Sequence, residues 1–170
     1  MSPEQIRSAI QADAGLLALA QAAASDADIA ALAASVAQQA PKRVVLGSSI
    51  TTRGAAARFP SIGGLPPSLS FEAAMMALET FATAGAQSSD MPTKLLARAV
   101  SRQIEGFQRL GLDFGEPELR TMLDYLTTLQ PAVLTTAQAA GFKALADAAE
   151  VVTPHDIKAA IYADDGTLLV

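Results

Sequence analysis

Apolar residues recur along the chain at helical spacing, and most runs are preceded by a helix-start signal. Leu96, Val100, Ile104 and Phe107 fall on one face of a helix over 92–110. Leu119, Met122, Leu123 and Leu126 repeat the pattern over 117–129. Ser2-Pro3-Glu4-Gln5 is a capping box with proline at the first helical position. Ser25-Asp26-Ala27-Asp28 sets a hydroxyl cap ahead of two carboxylates, which a helix N-terminus favours. Thr135-Thr136-Ala137-Gln138 repeats the box, and Thr153-Pro154-His155-Asp156 combines cap, proline and acid. Asp90-Met91-Pro92-Thr93 and Gly115-Glu116-Pro117-Glu118 mark two further starts, and Ser70 is expected to cap a helix beginning at Phe71. The pattern predicts helices over 3–12, 14–24, 26–39, 71–84, 92–110, 117–129, 136–149 and 154–162. A shorter one is expected at 52–58, around Gly54. Arg43-Val44-Val45-Leu46 is the one strand-like run, and Asp164 to Val170 reads as a turn followed by a short extended tail. The fold class expected is all-α.

Between Asp28 and Glu72 the pattern breaks. No Asp or Glu occurs there, whereas Lys42, Arg43, Arg53 and Arg58 do, among Pro41, Gly47, Gly54, Pro60, Gly63, Gly64, Pro66 and Pro67. Residues 60–69 are expected to be a loop. The chain is therefore expected to form a single compact multi-helix domain over 1–170. Within it, 1–40 are N-terminal helices, 41–69 a long basic Pro/Gly-rich arm, and 70–170 a C-terminal helical bundle. The arm also carries Phe59, Ile62, Leu65 and Leu69, apolar groups that a purely solvated loop would not need. It is expected to dock on another protein or a second copy and to be ordered mainly by that neighbour. Lys42, Arg43, Arg53, Arg58 and Phe59 are the expected partner-binding residues, because arginine holds carboxylates in bidentate fashion. A bland solvated loop is the alternative. Nucleic acid is disfavoured, since the four cations are spread out and no aromatic stacking platform lies between them.

Composition limits the chemistry. Hydrophobic residues make up 51% of the 170 positions, more than a disordered chain carries. Much of this is alanine, and aromatics are 5% with no Trp. The core is therefore expected to rest on a few anchors: Phe71, Phe81, Phe107, Phe114, Tyr125 and Phe142. The net charge of −5 argues against general nucleic-acid binding. Without Cys there is no disulfide and no thiol chemistry. The capped amphipathic start gives no expectation of a signal peptide, and no apolar run approaches the ~18 residues of a membrane span.

Candidate catalytic groups read as structural. His155 is the sole histidine; it sits in a first helical turn, with no spacing that would recruit a metal partner. Asp113, Glu116 and Glu118 flank a helix start, where the dipole favours acids. Asp164-Asp165-Gly166-Thr167 lacks the alternating acids and distal Glu of a calcium loop. Gly63-Gly64 and Gly47-Ser48-Ser49 match neither a phosphate cradle nor a nucleophile elbow. Lys94, Arg98 and Arg102 form a stripe that suits either an acidic partner or a solvated face with Glu105–Arg109 pairing. No cofactor, metal or enzymatic activity is expected.

Several segments, in order, resemble a loose group of short, Ala-rich proteins encoded among virion and tail genes of tailed bacteriophages. They are Pro3 to Ile10, the basic stretch from Lys42 to Arg58, and Leu112-Asp113-Phe114-Gly115 followed by Met122-Leu123-Asp124. Phe142-Lys143-Ala144-Leu145-Ala146 and Val152 to Ile157 complete the set. The Pro/Gly segment at 60–69 is longer here. The resemblance implies a non-enzymatic structural or accessory virion protein, an oligomer or a bridge between other virion proteins, assembled in the host cytoplasm. The competing expectation is a helix-turn-helix regulatory module over 136–162, binding DNA or a regulator protein. That segment is poor in positive charge for a recognition helix.

Overall fold

The computed structural model describes residues 1–163 and 165–170; Asp164, the first residue of the expected C-terminal turn, lies outside the described residues. The fold is all-α. Among the described residues there are nine helices and one two-stranded sheet. In chain order these are α1 Pro3–Ala12, α2 Ala14–Ala22, α3 Asp26–Gln39, β1 Arg43–Val44, α4 Thr52–Arg58, α5 Pro67–Ala86 and α6 Met91–Leu110. They continue with α7 Pro117–Thr128, α8 Thr136–Ala144, β2 Asp147–Ala148 and α9 Pro154–Ile161.

The chain divides into two compact units: Met1–Arg43 with Ala148–Val170, and Val44–Asp147. The first unit is thus built from both ends of the chain, and the second is inserted in sequence between them. β1 pairs with β2.

In the terminal unit, capping fixes where helices begin and apolar spacing fixes which face turns inward. The side chains of Ser2, Ser25 and Thr153 each accept the backbone N–H three residues on, and the return bond is also made. Ile6 and Ile10 of α1, Leu16 and Ala20 of α2, Ile29, Leu32 and Val36 of α3, and Ile157 and Ile161 of α9 share one core. Polar bonds hold the C-terminal helix in place. Arg7 Nε donates to the Ala160 carbonyl at 2.7 Å, Lys158 Nζ meets Asp26 at 2.7 Å, and the Met1 amine pairs with Glu150.

The inserted unit is built on a network of phenylalanine rings. Phe59, Phe71, Phe107, Phe114 and Phe142 form a closed circuit of neighbours with centroids 5.1–6.0 Å apart. Most meet edge to face; Phe114 and Phe142 stack. Such geometries add to the area each ring buries. Tyr125, expected in the core, is exposed instead on α7, and Leu123 and Leu126 take the inward positions.

Two helix boundaries differ from expectation. α5 begins at Pro67, with Pro66 at the N-cap, so the two prolines that read as loop breakers open a helix. Ser70 is inside that helix and buried; its Oγ accepts the Ile62 N–H at 3.0 Å and donates to the Leu65 carbonyl at 3.1 Å. It ties the 62–65 turn to α5 rather than capping a helix at Phe71. α8 ends at Ala144, not 149, and the chain turns into β2.

Candidate functional site

The residues expected to dock a partner divide between the two compact units. Lys42 and Arg43 belong to the terminal unit, while Arg53, Arg58 and Phe59 belong to the inserted one. Phe59 is only 2% exposed, with its ring 5.6 Å from Phe71 and 5.1 Å from Phe142. It cannot be a docking residue in this fold. Ala55 is fully buried beside it in the same core. Arg58 is exposed, but its guanidinium donates to the Leu145 carbonyl at 3.3 Å. Arg53, Lys42 and Arg43 lie on the surface, and Arg43 helps hold the Glu150 carboxyl below its ordinary range, behind the larger effect of the Met1 amine. Segment 41–69 is therefore not an extended arm awaiting a neighbour. α4 closes one side of the inserted core, and the turn at 62–65 is bound to α5.

The carboxylates raised as candidate acids and bases have structural work. Asp113 accepts the backbone N–H of Gly115 at 2.8 Å and that of Gly47 at 2.5 Å, fixing the loop between α6 and α7. Asp156 accepts the hydroxyl and N–H of Thr153, which lowers its pKa. His155 is exposed in the first turn of α9. Among the described residues no group of three or more His, Cys, Asp or Glu side chains gathers as a metal site. No helix among them is long and apolar enough to cross a membrane.

What the inserted unit does present is an open apolar groove of about 890 Å³. Its floor is the outer side of α5: Leu69, Ala73, Met76, Ala77 and Phe81. Leu65 closes one end, Thr93 of α6 borders another, and residues Leu129 to Val133 form the facing wall. That wall is fixed by backbone bonds from Val133 and Leu134 to the Leu126 carbonyl at the end of α7, with Leu134 itself buried. Met76 is 66% exposed and Leu69 47%, although both could have faced inward had α5 been rotated. Glu72 is the sole charged residue in the lining, and Glu79 is exposed one step further along α5, in a shallow hollow that shares Thr80 and Ala84 with the groove.

Sequence reading missed this groove. Leu65 and Leu69 stood out as apolar residues in a presumed loop, but the signal needed the helix to start at Pro67. From there Leu69 and Met76 fall on the face opposite Phe71 and Leu78. A helix that is apolar on two faces, one of them uncovered, is the pattern of a contact surface.

Searches against protein-family models, characterised proteins and solved structures find no match to this chain.

Proposed function

We propose that this chain is a non-enzymatic structural or accessory component of a bacteriophage particle. It joins or decorates larger components through protein–protein contact, and the α5 groove is where that contact is made. The observation that carries the contact role is the groove itself: exposed Leu65, Leu69 and Met76 beside a preformed wall at 129–133. Covering apolar surface of this kind drives association. The particle setting rests on the resemblance of the segments from Pro3 to Ile157 described above. The partners are other virion proteins or further copies of the chain.

The helix-turn-helix alternative has no comparable support. α8 and α9 are separated by residues 145–153 and belong to different compact units. A DNA-reading pair of helices is joined by a turn of about three to four residues.

The test is incorporation. Leu69→Glu with Met76→Glu places charge on the groove floor at two exposed positions. The variant should keep its helical circular dichroism and melting temperature, yet co-sediment with purified particles about tenfold less than the parent. Undiminished incorporation would move the contact elsewhere.

A further inference from the structure

The outer face of α6 matches the α5 groove in both apolarity and charge. Ala97, Val100, Ile104 and Phe107 turn α6 toward its own core. At 100° per residue, Met91, Leu95, Arg98 and Arg102 fall within an arc of about 60° on the opposite side. Met91 is 62% exposed and Leu95 58%. Lys94 flanks this arc. Among the described residues, none of Lys94, Arg98, Arg102 and Arg109 has a carboxylate within 4 Å, so the anticipated Glu105–Arg109 pair is not made. A chain of net charge −5 thus gathers four unpaired cations on one helix that holds a single acid, Glu105.

The groove is the complement. Its floor is apolar, and the charges in and beside it, Glu72 in the lining and Glu79 in the adjoining hollow, are both acidic. The seven-residue step from Glu72 to Glu79 spans about 10.5 Å along α5, and the eight-residue step from Lys94 to Arg102 about 12 Å along α6. The mismatch is within the reach of lysine and arginine side chains. The outer face of α6 cannot fill the groove of its own molecule. Its inner face is held against α5, where a Cβ on Gly85 would stand 2.7 Å from that of Ala97, so the opposite face points away from it.

We propose that the groove's occupant is α6 of a second copy of this chain. Met91 and Leu95 enter the apolar floor, and Lys94, Arg98 and Arg102 pair with Glu72 and Glu79. This identification rests on the groove being the contact surface. Each copy then carries both a groove and the helix that fits one, so copies associate reciprocally or head to tail.

The experiment is a charge swap read by sedimentation velocity over a range of protein concentrations, near physiological salt. The parent chain should self-associate. Glu72→Lys/Glu79→Lys reverses the groove and Arg98→Glu/Arg102→Glu reverses the helix; all four positions are exposed. Each pair should weaken association by about tenfold or more while leaving the melting temperature unchanged. An equimolar mixture of the two variants, or one chain carrying all four substitutions, should recover it. A parent that stays monomeric at high micromolar concentration overturns the proposal, as does a four-substitution chain no better than either pair. The groove reading is scored separately. If the parent is monomeric but Leu69→Glu/Met76→Glu still loses particle incorporation, the groove holds a different protein. If that variant loses neither incorporation nor self-association, the groove reading itself is wrong.

Discussion

Gly141 lies against the ring of Phe59 so closely that a Cβ at this position would stand 2.7 Å from Cζ and 3.0 Å from Cε2. The absent side chain lets α8 approach α4. The ring has no room to retreat, because Phe71 and Phe142 hold its other sides at 5.6 and 5.1 Å. Gly141→Ala should therefore destabilise the protein by about 1–3 kcal/mol despite the better helix propensity of alanine. Gly106, in the middle of α6, is the control. Nothing lies within 4 Å of its would-be Cβ, so Gly106→Ala should stabilise by about 0.5–1 kcal/mol. Urea unfolding midpoints should move in opposite directions for the two variants.

Phe59 separates a core role from a docking role. Truncation to alanine should cost about 3–5 kcal/mol, since a fully packed ring leaves a cavity the neighbours cannot fill. Arg53→Glu, on the exposed side of the same short helix, should stay within about 0.5 kcal/mol of the parent. Chemical denaturation of both variants is the check. A Phe59→Ala protein of parental stability would return this residue to the surface.

The elements most legible in the sequence were those whose cause is local. The boxes at Ser2, Ser25, Thr135 and Thr153 each make both of their bonds. The stripe Val100, Ile104, Phe107 is buried as its spacing requires. Where tertiary contacts decide, sequence reading went astray. Pro66-Pro67 reads equally as loop or helix start, and the choice is settled by Ser70 binding Ile62 and Leu65. The alanines after Ala144 carry no stop signal, yet the chain leaves the helix there for β2. Phe59 followed a basic, breaker-rich stretch, and only the position of α8 shows that its ring is core. The groove was hidden for the same reason: its wall comes from residues 129–133, some fifty positions beyond its floor.

Acid should loosen the terminal unit through its helix caps. The Ser25 hydroxyl, then the N–H groups of Ala24 and Ser25, hold Asp28 below the ordinary value of 3.8. The Thr153 hydroxyl and N–H do the same for Asp156. A carboxylate whose folded pKa is depressed contributes stability that is complete above its unfolded value. That contribution is lost as pH falls through the folded one. The urea midpoint should therefore fall progressively as pH is lowered below about 5. Asp28→Asn/Asp156→Asn should be less stable than the parent at neutral pH and lose less over that acid interval. Parallel pH profiles for the two proteins would show that the caps are not the source.

Arg120 should matter more than any other surface-reaching cation of the inserted unit. Its Nη1 donates to the Phe114 carbonyl at 3.2 Å and the Lys143 carbonyl at 3.0 Å, and the guanidinium reaches Asp147 at 3.4 Å. One side chain on α7 thereby ties the loop before it, the last turn of α8 and β2. The Lys143 carbonyl lies in the last turn of α8, where it also accepts the Ala146 N–H at 3.2 Å, and a cation there meets the negative end of the helix dipole. Arg120→Met keeps the apolar stem and removes every donor, and should destabilise by about 2–3 kcal/mol. Arg120→Lys should fall between, because one ammonium cannot reproduce the fork that reaches three acceptors. Asp147→Asn removes only the partly exposed ion pair and should cost less than about 1 kcal/mol. Hydrogen exchange at the Val45 amide, which bonds the Ala146 carbonyl at 2.9 Å, gives the local reading. Its protection should fall in the order parent, Asp147→Asn, Arg120→Lys, Arg120→Met. If Asp147→Asn proves as damaging as Arg120→Met, the ion pair and not the two carbonyl bonds holds this corner together.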